Sequence, residues 1–361
     1  MAGTLSPLAD GHPERRDVPG GQVQSREGQG KPISRAKKGF FSYLAPREMA
    51  TFVRRDLDIL STRFRMVAHF YSGRGRGLPD ILRILWGVLT SDFSFSWFGY
   101  HQAYWAVRFS RLLGRKSIVV LGGFDVCEEE DPHFDRRIAE LRYILRHASC
   151  LLAVSRRVQA KAEALVEGRE KIPVIYHGFD SVRFRPATPK LAIAVTVAYL
   201  DETSVRRKGI ETFVRAARFL PDVEFVVVGE SLDGSGERLK ASSTPNVRFT
   251  GKLPEADLIR VLQQTAVYVQ ASLHEAFGCS LAEAMLCGCA PVVSDRGSIP
   301  EVVGDCGIYV DPVRPEEVAR GIRAAIENPA LGSLARERVR NLFPLEERRV
   351  RMLSTLEDLL A

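Results

Sequence analysis

The chain has 361 residues, 45% of them hydrophobic and 26% charged, a globular balance that excludes a disordered or collagen-like bulk. Its length suggests about two domains, each large enough for its own hydrophobic core. The 51 basic residues exceed the 44 acidic ones by a net +7, which suits an anionic ligand or surface without demanding nucleic acid.

Residues 1–38 are rich in Gly, Pro, Ser, Gln and basic side chains. Seven basic residues face four acidic ones there, with no apolar period, and the segment reads as a disordered basic tail. A tether to anionic lipid is one use for it; a solvated tail without a role is the preferred reading. Order is predicted from Phe40. Phe40–Leu44 reads as a strand, and Pro46 opens a helix through Leu60 with Phe52, Val53, Leu57 and Leu60 on one face. Strands follow at Met66–Tyr71, Phe93–Phe98, Ser117–Leu121, Cys150–Val154 and Val174–Tyr176. Helices alternate with them at 80–89, His101–Leu113, Ile138–Arg146 and Arg157–Glu167.

The second half repeats the rhythm. Strands are predicted at Ile193–Tyr199, Val223–Val228, Val247–Thr250, Val267–Gln270, Pro291–Ser294 and Ile308–Val310. Helices are predicted at Gly209–Phe219, Glu255–Gln264, Leu281–Leu286, Glu316–Glu327, 331–342 and 345–360. Such alternation implies parallel sheets covered on both faces. Two runs give two doubly wound α/β domains, residues 39–185 and 186–344, with a last helix at 345–361 returning to the first. The cleft between facing domains is then the default site.

No stretch approaches the roughly 18 apolar residues a spanning helix needs, and the first 30 residues lack an apolar signal core. The expected location is cytoplasmic. Six cysteines without a C-x-x-C pair read as small buried thiols, and Cys287-Gly-Cys289 lacks the partners of a zinc site. No metal is expected.

The most informative stretch runs from His274 through Glu275, Phe277, Gly278, Cys279, Ser280, Leu281 and Glu283 to Met285. It leaves a strand and becomes a helix. Gly278 permits close backbone approach, and Ser280 is the predicted N-cap. Free N–H groups from Gly278 to Leu281, with the helix dipole, would hold an anion, most naturally a diphosphate. Glu275 and Glu283, one before and one after that turn, would accept hydrogen bonds from sugar hydroxyls at its two ends. Arg206-Arg207-Lys208-Gly209, read as opening a helix, supplies positive charge for the diphosphate.

With these residues the chain resembles the GT-B glycosyltransferases of family GT4 over nearly all of residues 40–361. The E-x7-E pair Glu275/Glu283 with its Phe277-Gly278 turn, Lys208-Gly209, Ser298–Val303, Gly307–Val310 and Tyr176–Asp180 all fit that family's pattern. The resemblance implies two facing Rossmann-like domains and transfer of a sugar, with retained anomeric configuration, from a UDP- or GDP-linked donor to an acceptor hydroxyl. It implies no cofactor and no essential metal. The implied donor contacts are Arg207, Lys208, Phe277, Gly278, Cys279, Ser280, Leu281 and Glu283. The implied catalytic residues are Glu275, Lys208 and, on the acceptor side, His101.

Three places depart from the family pattern. Tyr199 stands near a usual strand-end arginine, for which Arg206 or Arg207 could substitute. Ala45–Met49 replaces a glycine-rich loop, and Gly122 replaces a histidine, with His101 the nearby alternative. These departures keep a catalytically silent nucleotide-sugar-binding module as the alternative; a nucleotide-sugar epimerase, which keeps the fold and changes the reaction, ranks below it. The implied acceptor is a sugar, a glycan or a lipid-linked molecule.

Other signals are set aside. Asp56-Leu57-Asp58 is read as a solvated helix face rather than a metal-holding D-x-D. Glu128–Asp131 is read as a solvated loop and Gly73–Gly77 as a turn without the dinucleotide spacing. His177 is expected to pack at the domain crossover. Leu78–Leu89 reads as a helix on the first sheet, with docking to an anionic membrane through this apolar run as the sharper alternative.

Overall fold

The structure, a computed structural model, describes residues 36–44, 49–71, 77–127, 134–168, 171–187 and 189–361. Five parallel strands form the first sheet: β1 (Lys38–Leu44), β2 (Arg65–Tyr71), β3 (Phe93–Trp97), β4 (Lys116–Leu121) and β5 (Cys150–Ala153), in the order β2-β1-β3-β4-β5. Helices α1 (Thr51–Ser61), α2 (Leu78–Leu89), α3 (His101–Leu112), α4 (Phe134–His147) and α5 (Arg156–Ala164) link or follow them. All five residues of β3 are buried, as a central strand covered on both faces requires.

The second sheet holds β6 (Leu191–Val197), β7 (Glu224–Val228), β8 (Val247–Gly251), β9 (Thr265–Gln270), β10 (Ala290–Val293) and β11 (Ile308–Tyr309), in the order β11-β10-β9-β6-β7-β8. Its helices are α6 (Glu202–Arg207), α7 (Ile210–Ala216), α8 (Ser235–Ala241), α9 (Glu255–Gln264), α10 (Cys279–Leu286), α11 (Ile299–Val303), α12 (Pro315–Glu327) and α13 (Ala330–Leu342). Helix α14 (Leu345–Leu360) places Met352 and Leu356 in the core of the first sheet. Both sheets are wholly parallel, so the two doubly wound domains expected from the alternation are present. No helix among the described residues is long and apolar enough to cross a membrane.

Several local expectations need correction. Helix α1 starts at Thr51, not Pro46, because Ala50 before it is extended (φ −60°, ψ 144°). Val174–Tyr176 is not a strand; Val174 makes only an isolated bridge to Ala153. Arg206 and Arg207 close a short helix rather than open one. Asp201 caps α6 by accepting from the Ser204 N–H (2.8 Å), Lys208 ends it, and Gly209 (φ +65°) turns the chain into α7. The short helices α8 and α11 have too little apolar period to be read from sequence. Asp56 is fully buried rather than solvated. Glu128–Asp131, Gly73–Arg76, Ala45–Glu48 and residues 1–35 lie outside the described residues.

Candidate active site

Glu275 sits just beyond the carboxyl end of β9 and is 9% exposed. Its Oε2 accepts from Lys208 Nζ at 3.1 Å and from Gln270 Nε2 at 2.6 Å. Burial alone would raise its pKa, but Lys208 and Arg207 outweigh that and hold it below the ordinary carboxylate value. Two glycines make the approach possible. A Cβ on Gly209 would lie 2.0 Å from the Ala271 carbonyl oxygen, so only glycine lets the Lys208 turn lie on the end of β9. A Cβ on Gly297 (φ +63°) would strike the Glu275 backbone at 2.3 Å; there the Ser298 N–H donates to the Glu275 carbonyl (2.8 Å).

Gly278 (φ +94°) starts α10 in the left-handed region, with no side-chain cap. This corrects the N-cap assignment of Ser280. The Ser280 hydroxyl instead accepts from the buried Tyr268 phenol at 2.8 Å. The first-turn N–H groups of Cys279, Ser280 and Leu281 therefore lack a side-chain cap and sit where the positive end of the helix dipole points. The Cys279 thiol is pushed up to about 12 by burial, so it stands there as a neutral group. Phe277 is buried between Tyr176, His177, Phe179 and Phe343, which fixes the turn from below.

Glu283 lies one turn into α10. Burial pushes its pKa up to about 7, against an opposing pull from Arg55. Arg55 comes from α1 of the first domain. Its Nη2 is 3.6 Å from Glu283 Oε1, its Nη1 donates to the Gly178 carbonyl at 2.7 Å, and its guanidinium lies 5.4 Å over Phe179. Sequence reading missed Arg55, since nothing in an amphipathic helix marks one arginine as reaching another domain.

The two domains close on each other around this turn. The Gly122-Gly123-Phe124-Asp125 loop follows β4. Buried Asp125 accepts the N–H groups of Gly99 (2.7 Å), Gly122 (3.1 Å) and Gly123 (2.8 Å), tying two loops of the first domain together. A Cβ on Gly123 would lie 2.2 Å from that of Ala276, so this loop packs directly on the Glu275 loop. Arg207 stacks 4.5 Å over Phe124 and faces the His274 carbonyl (3.5 Å); Arg206 is exposed. On the far side, the carboxylate of Glu301 accepts from the N–H groups of Arg156 (2.9 Å) and Arg157 (3.0 Å) at the start of α5 and from the Tyr176 phenol (3.2 Å). The hydroxyls of Ser155 and Ser298 meet beside it at 2.8 Å. Glu301 belongs to the Ser298–Val303 run, whose match to a family pattern was its only mark in the sequence.

His101 is elsewhere engaged. Its Nδ1 donates to Glu140 (3.1 Å) and its Nε2 accepts from the Trp105 indole (3.0 Å), so both ring nitrogens are used within the first domain. The space a side chain at Gly122 would need is filled by Phe98, whose ring would stand 2.1 Å from such a Cβ. Phe98 holds a left-handed backbone (φ +66°), a strained state for an aromatic residue. His177 is buried against Trp97, Phe52 and Phe277, and burial with nearby Arg348 and Arg55 keeps it neutral. None of the six cysteines forms a disulfide; Cys127, Cys287 and Cys289 are buried, and Cys150, Cys279 and Cys306 are half-buried.

Comparison with known proteins shows what this chain is similar to. Residues 193–341 match the model of glycosyl transferases group 1. The chain is 28% identical over 163 residues to a subunit of the phosphatidylinositol N-acetylglucosaminyltransferase from Arabidopsis thaliana, covering 43% of this chain and 36% of that protein. It is 30% identical over 157 residues to an alpha-maltose-1-phosphate synthase of Mycolicibacterium smegmatis, covering 38% and 40%. The matched stretches thus span less than half the length of these relatives. Among solved structures, Anabaena HepE in complex with UDP and glucose superposes with TM-score 0.74 at 18% identity, over 89% of this chain and 99% of that one. Sucrose-phosphate synthase from Thermosynechococcus elongatus gives 0.72 at 18%, over 89% and 98%. The described chain therefore has the GT-B fold, and within it residues 193–341 are similar to the glycosyl transferases group 1.

Proposed function

We propose that the chain is a retaining glycosyltransferase that moves a sugar from a UDP- or GDP-linked donor to a hydroxyl of a sugar, glycan or lipid-linked acceptor. The observation that carries this is the Lys208–Glu275 pair lying beside the uncapped amino end of α10, with Glu283 one turn further on. A lysine and a row of N–H groups suit a diphosphate; the two carboxylates suit hydroxyls on either side of it. Anabaena HepE, which shares the fold, was crystallised with UDP-glucose.

In this reading Lys208 and the N–H groups of Cys279, Ser280 and Leu281 hold the diphosphate and stabilise charge as the leaving oxygen develops it. Glu275 orients the transferred sugar, and Lys208 changes partner from the carboxylate to the phosphate when donor enters. Glu283 accepts from the ribose hydroxyls. Arg207, held over Phe124, adds positive charge from the domain seam. His101, with both nitrogens engaged, has no step here. Incubation with a panel of nucleotide sugars tests the proposal: the expected result is release of nucleoside diphosphate, faster with a suitable acceptor. Tight donor binding without any release would instead establish the silent module.

A pH dependence follows from Glu283. Its folded pKa of about 7 lies above the ordinary 4.5, so the folded protein holds a proton there that the unfolded chain releases. That contribution to stability is full below pH 4.5 and is lost as pH rises through about 7. Donor binding has the opposite slope, because the ribose hydroxyls need the ionised form as acceptor. The Kd for nucleoside diphosphate, measured by calorimetry from pH 6 to 8, is expected to tighten with pH, and Glu283→Gln should flatten that slope. A slope unchanged in the variant would remove Glu283 from the ribose.

Turnover is expected to persist in EDTA, since lysine and backbone N–H groups supply the charge a cation would. Asp56 of the D-x-D is fully buried and held by Arg348 and the Trp97 indole, away from the Glu275 turn. Loss of activity on chelation, restored by manganese or magnesium, would overturn this.

A further inference from the structure

Helix α2 has two faces of similar hydrophobicity but opposite fate. Ile84, Gly87 and Val88 are buried against Phe40, Tyr71 and Ala106. Gly87 fixes that contact, because a Cβ there would meet the Phe40 ring at 2.2 Å. The opposite face carries Leu78, Leu82, Trp86 and Leu89, at helical spacings of four, four and three. They are 68%, 53%, 69% and 45% exposed. Four large apolar side chains in one exposed row are far more than scattered surface hydrophobes. Beside it, β2 is the outermost strand of the sheet, and Val67, on the same strand face as the Tyr71 that packs on α2, is 42% exposed.

Charge identifies the occupant. From Arg65 to Lys116, which takes in β2, α2, β3 and α3, the sequence has eight basic residues against two acidic ones, Asp80 and Asp92. On α3, packed beside α2, Arg108 and Arg111 are exposed, as are Arg115 and Lys116 where the chain enters β4; of these, Arg111 lies against His147 and Arg115 pairs with Asp92. Residues 39–185 hold 23 basic against 16 acidic side chains, whereas residues 186–361 hold 21 against 24. The positive charge thus lies on the half of the chain that exposes the apolar row. A tryptophan and leucines projecting from a helix that itself carries exposed Arg83, on the positively charged half of the chain, match the headgroup boundary of an anionic bilayer: the apolar tips enter the acyl edge, and the cations stay among phosphates. At 12 residues α2 is too short to span, so it lies in the interface plane.

We infer that the outer face of α2 is a docking surface for an anionic lipid bilayer. This is independent of the transfer chemistry, because the face shares no residue with the Glu275 site. The test is sedimentation of the full chain with vesicles of phosphatidylcholine alone and of phosphatidylcholine with about a third phosphatidylglycerol. Binding is expected only to the anionic vesicles, weakening with salt, with Trp86 emission shifting blue. Leu82→Ser with Trp86→Ser is expected to lower the partition coefficient about tenfold or more while nucleoside diphosphate binding stays at its original Kd. Absence of sedimentation at low salt overturns the inference, as does binding that survives the double substitution. So does binding gained only after residues 1–35 are deleted, since the chain's own tail would then cover the face. A dimer that forms without vesicles and is lost in the double variant would assign the face to a second copy instead.

Discussion

Glu275→Gln is expected to lower turnover by two or more orders of magnitude while leaving nucleoside diphosphate binding nearly intact. The carboxylate accepts from both Lys208 and Gln270. In the proposed reaction it trades the lysine for the transferred sugar, whose hydroxyls lean on it most as positive charge grows at the anomeric carbon. Losing one preorganised charge contact of this kind costs about 10²–10³ in rate. Lys208→Ala should cut turnover as far and weaken diphosphate binding too, because the lysine faces the leaving group. The variants therefore separate by a kcat-against-Kd comparison. Neither should unfold the domain. Lys208 is 23% exposed and its loss leaves Glu275 with Gln270 and nearby Arg207; Glu275→Gln leaves an ammonium that water can reach. A cost of about 1–3 kcal/mol, read as a modest drop in Tm, is the scale for one unpaired partly buried group. Wild-type turnover in either variant would take that residue out of the site.

The sequence exposed this pair for physical reasons. The alternation of strands and helices follows from burial on both faces of parallel sheets, so β9, α10 and the turn between them could be placed to within two residues. A Phe-Gly turn flanked by carboxylates is a local pattern, legible without tertiary knowledge. What was hidden is what depends on the seam between domains. Arg55 sits on an amphipathic helix like many others, and only the closed arrangement brings it to Glu283. Asp125 gathers N–H groups from two loops 23 or more residues apart. The amino end of α10 departs from the sequence expectation because Ser280, a good capping residue in isolation, has its hydroxyl claimed by Tyr268. The Arg206–Lys208 turn departs from it too, because Asp201, three residues before Ser204, starts a helix whose apolar content is a single buried valine, Val205. Sequence periodicity reports cores, and these features belong to edges and seams.

Asp56 shows the same limit with the largest structural consequence, and replacing it is expected to detach α14. Its spacing with Asp58 looked like a solvated helix face, yet it is fully buried. Its two oxygens accept from Arg348 Nε (2.7 Å) and Nη2 (2.6 Å), and Oδ2 also accepts from the Trp97 indole (3.0 Å). Arg348 is 3% exposed and spends its remaining donor, Nη1, on the carbonyls of Ile175 (2.9 Å) and Tyr176 (2.7 Å). Every charge in this cluster is thus paired, and the arginine stitches the last helix to α1 and to the crossover before the second domain. Asp56→Ala leaves a guanidinium buried beside an unpaired indole N–H. Breaking one side of such a pair costs about 3–5 kcal/mol, whereas replacing both members with apolar groups of similar volume is often close to neutral. Asp56→Ala should therefore lower Tm markedly and accelerate amide exchange across residues 345–361 before the sheets exchange. Asp56→Leu combined with Arg348→Met should recover much of the loss, because Met352 and Leu356 still seat α14 in the first core. If the single variant leaves exchange in 345–361 unchanged, packing alone holds the helix, and the ion pair serves only to satisfy the backbone carbonyls of the crossover.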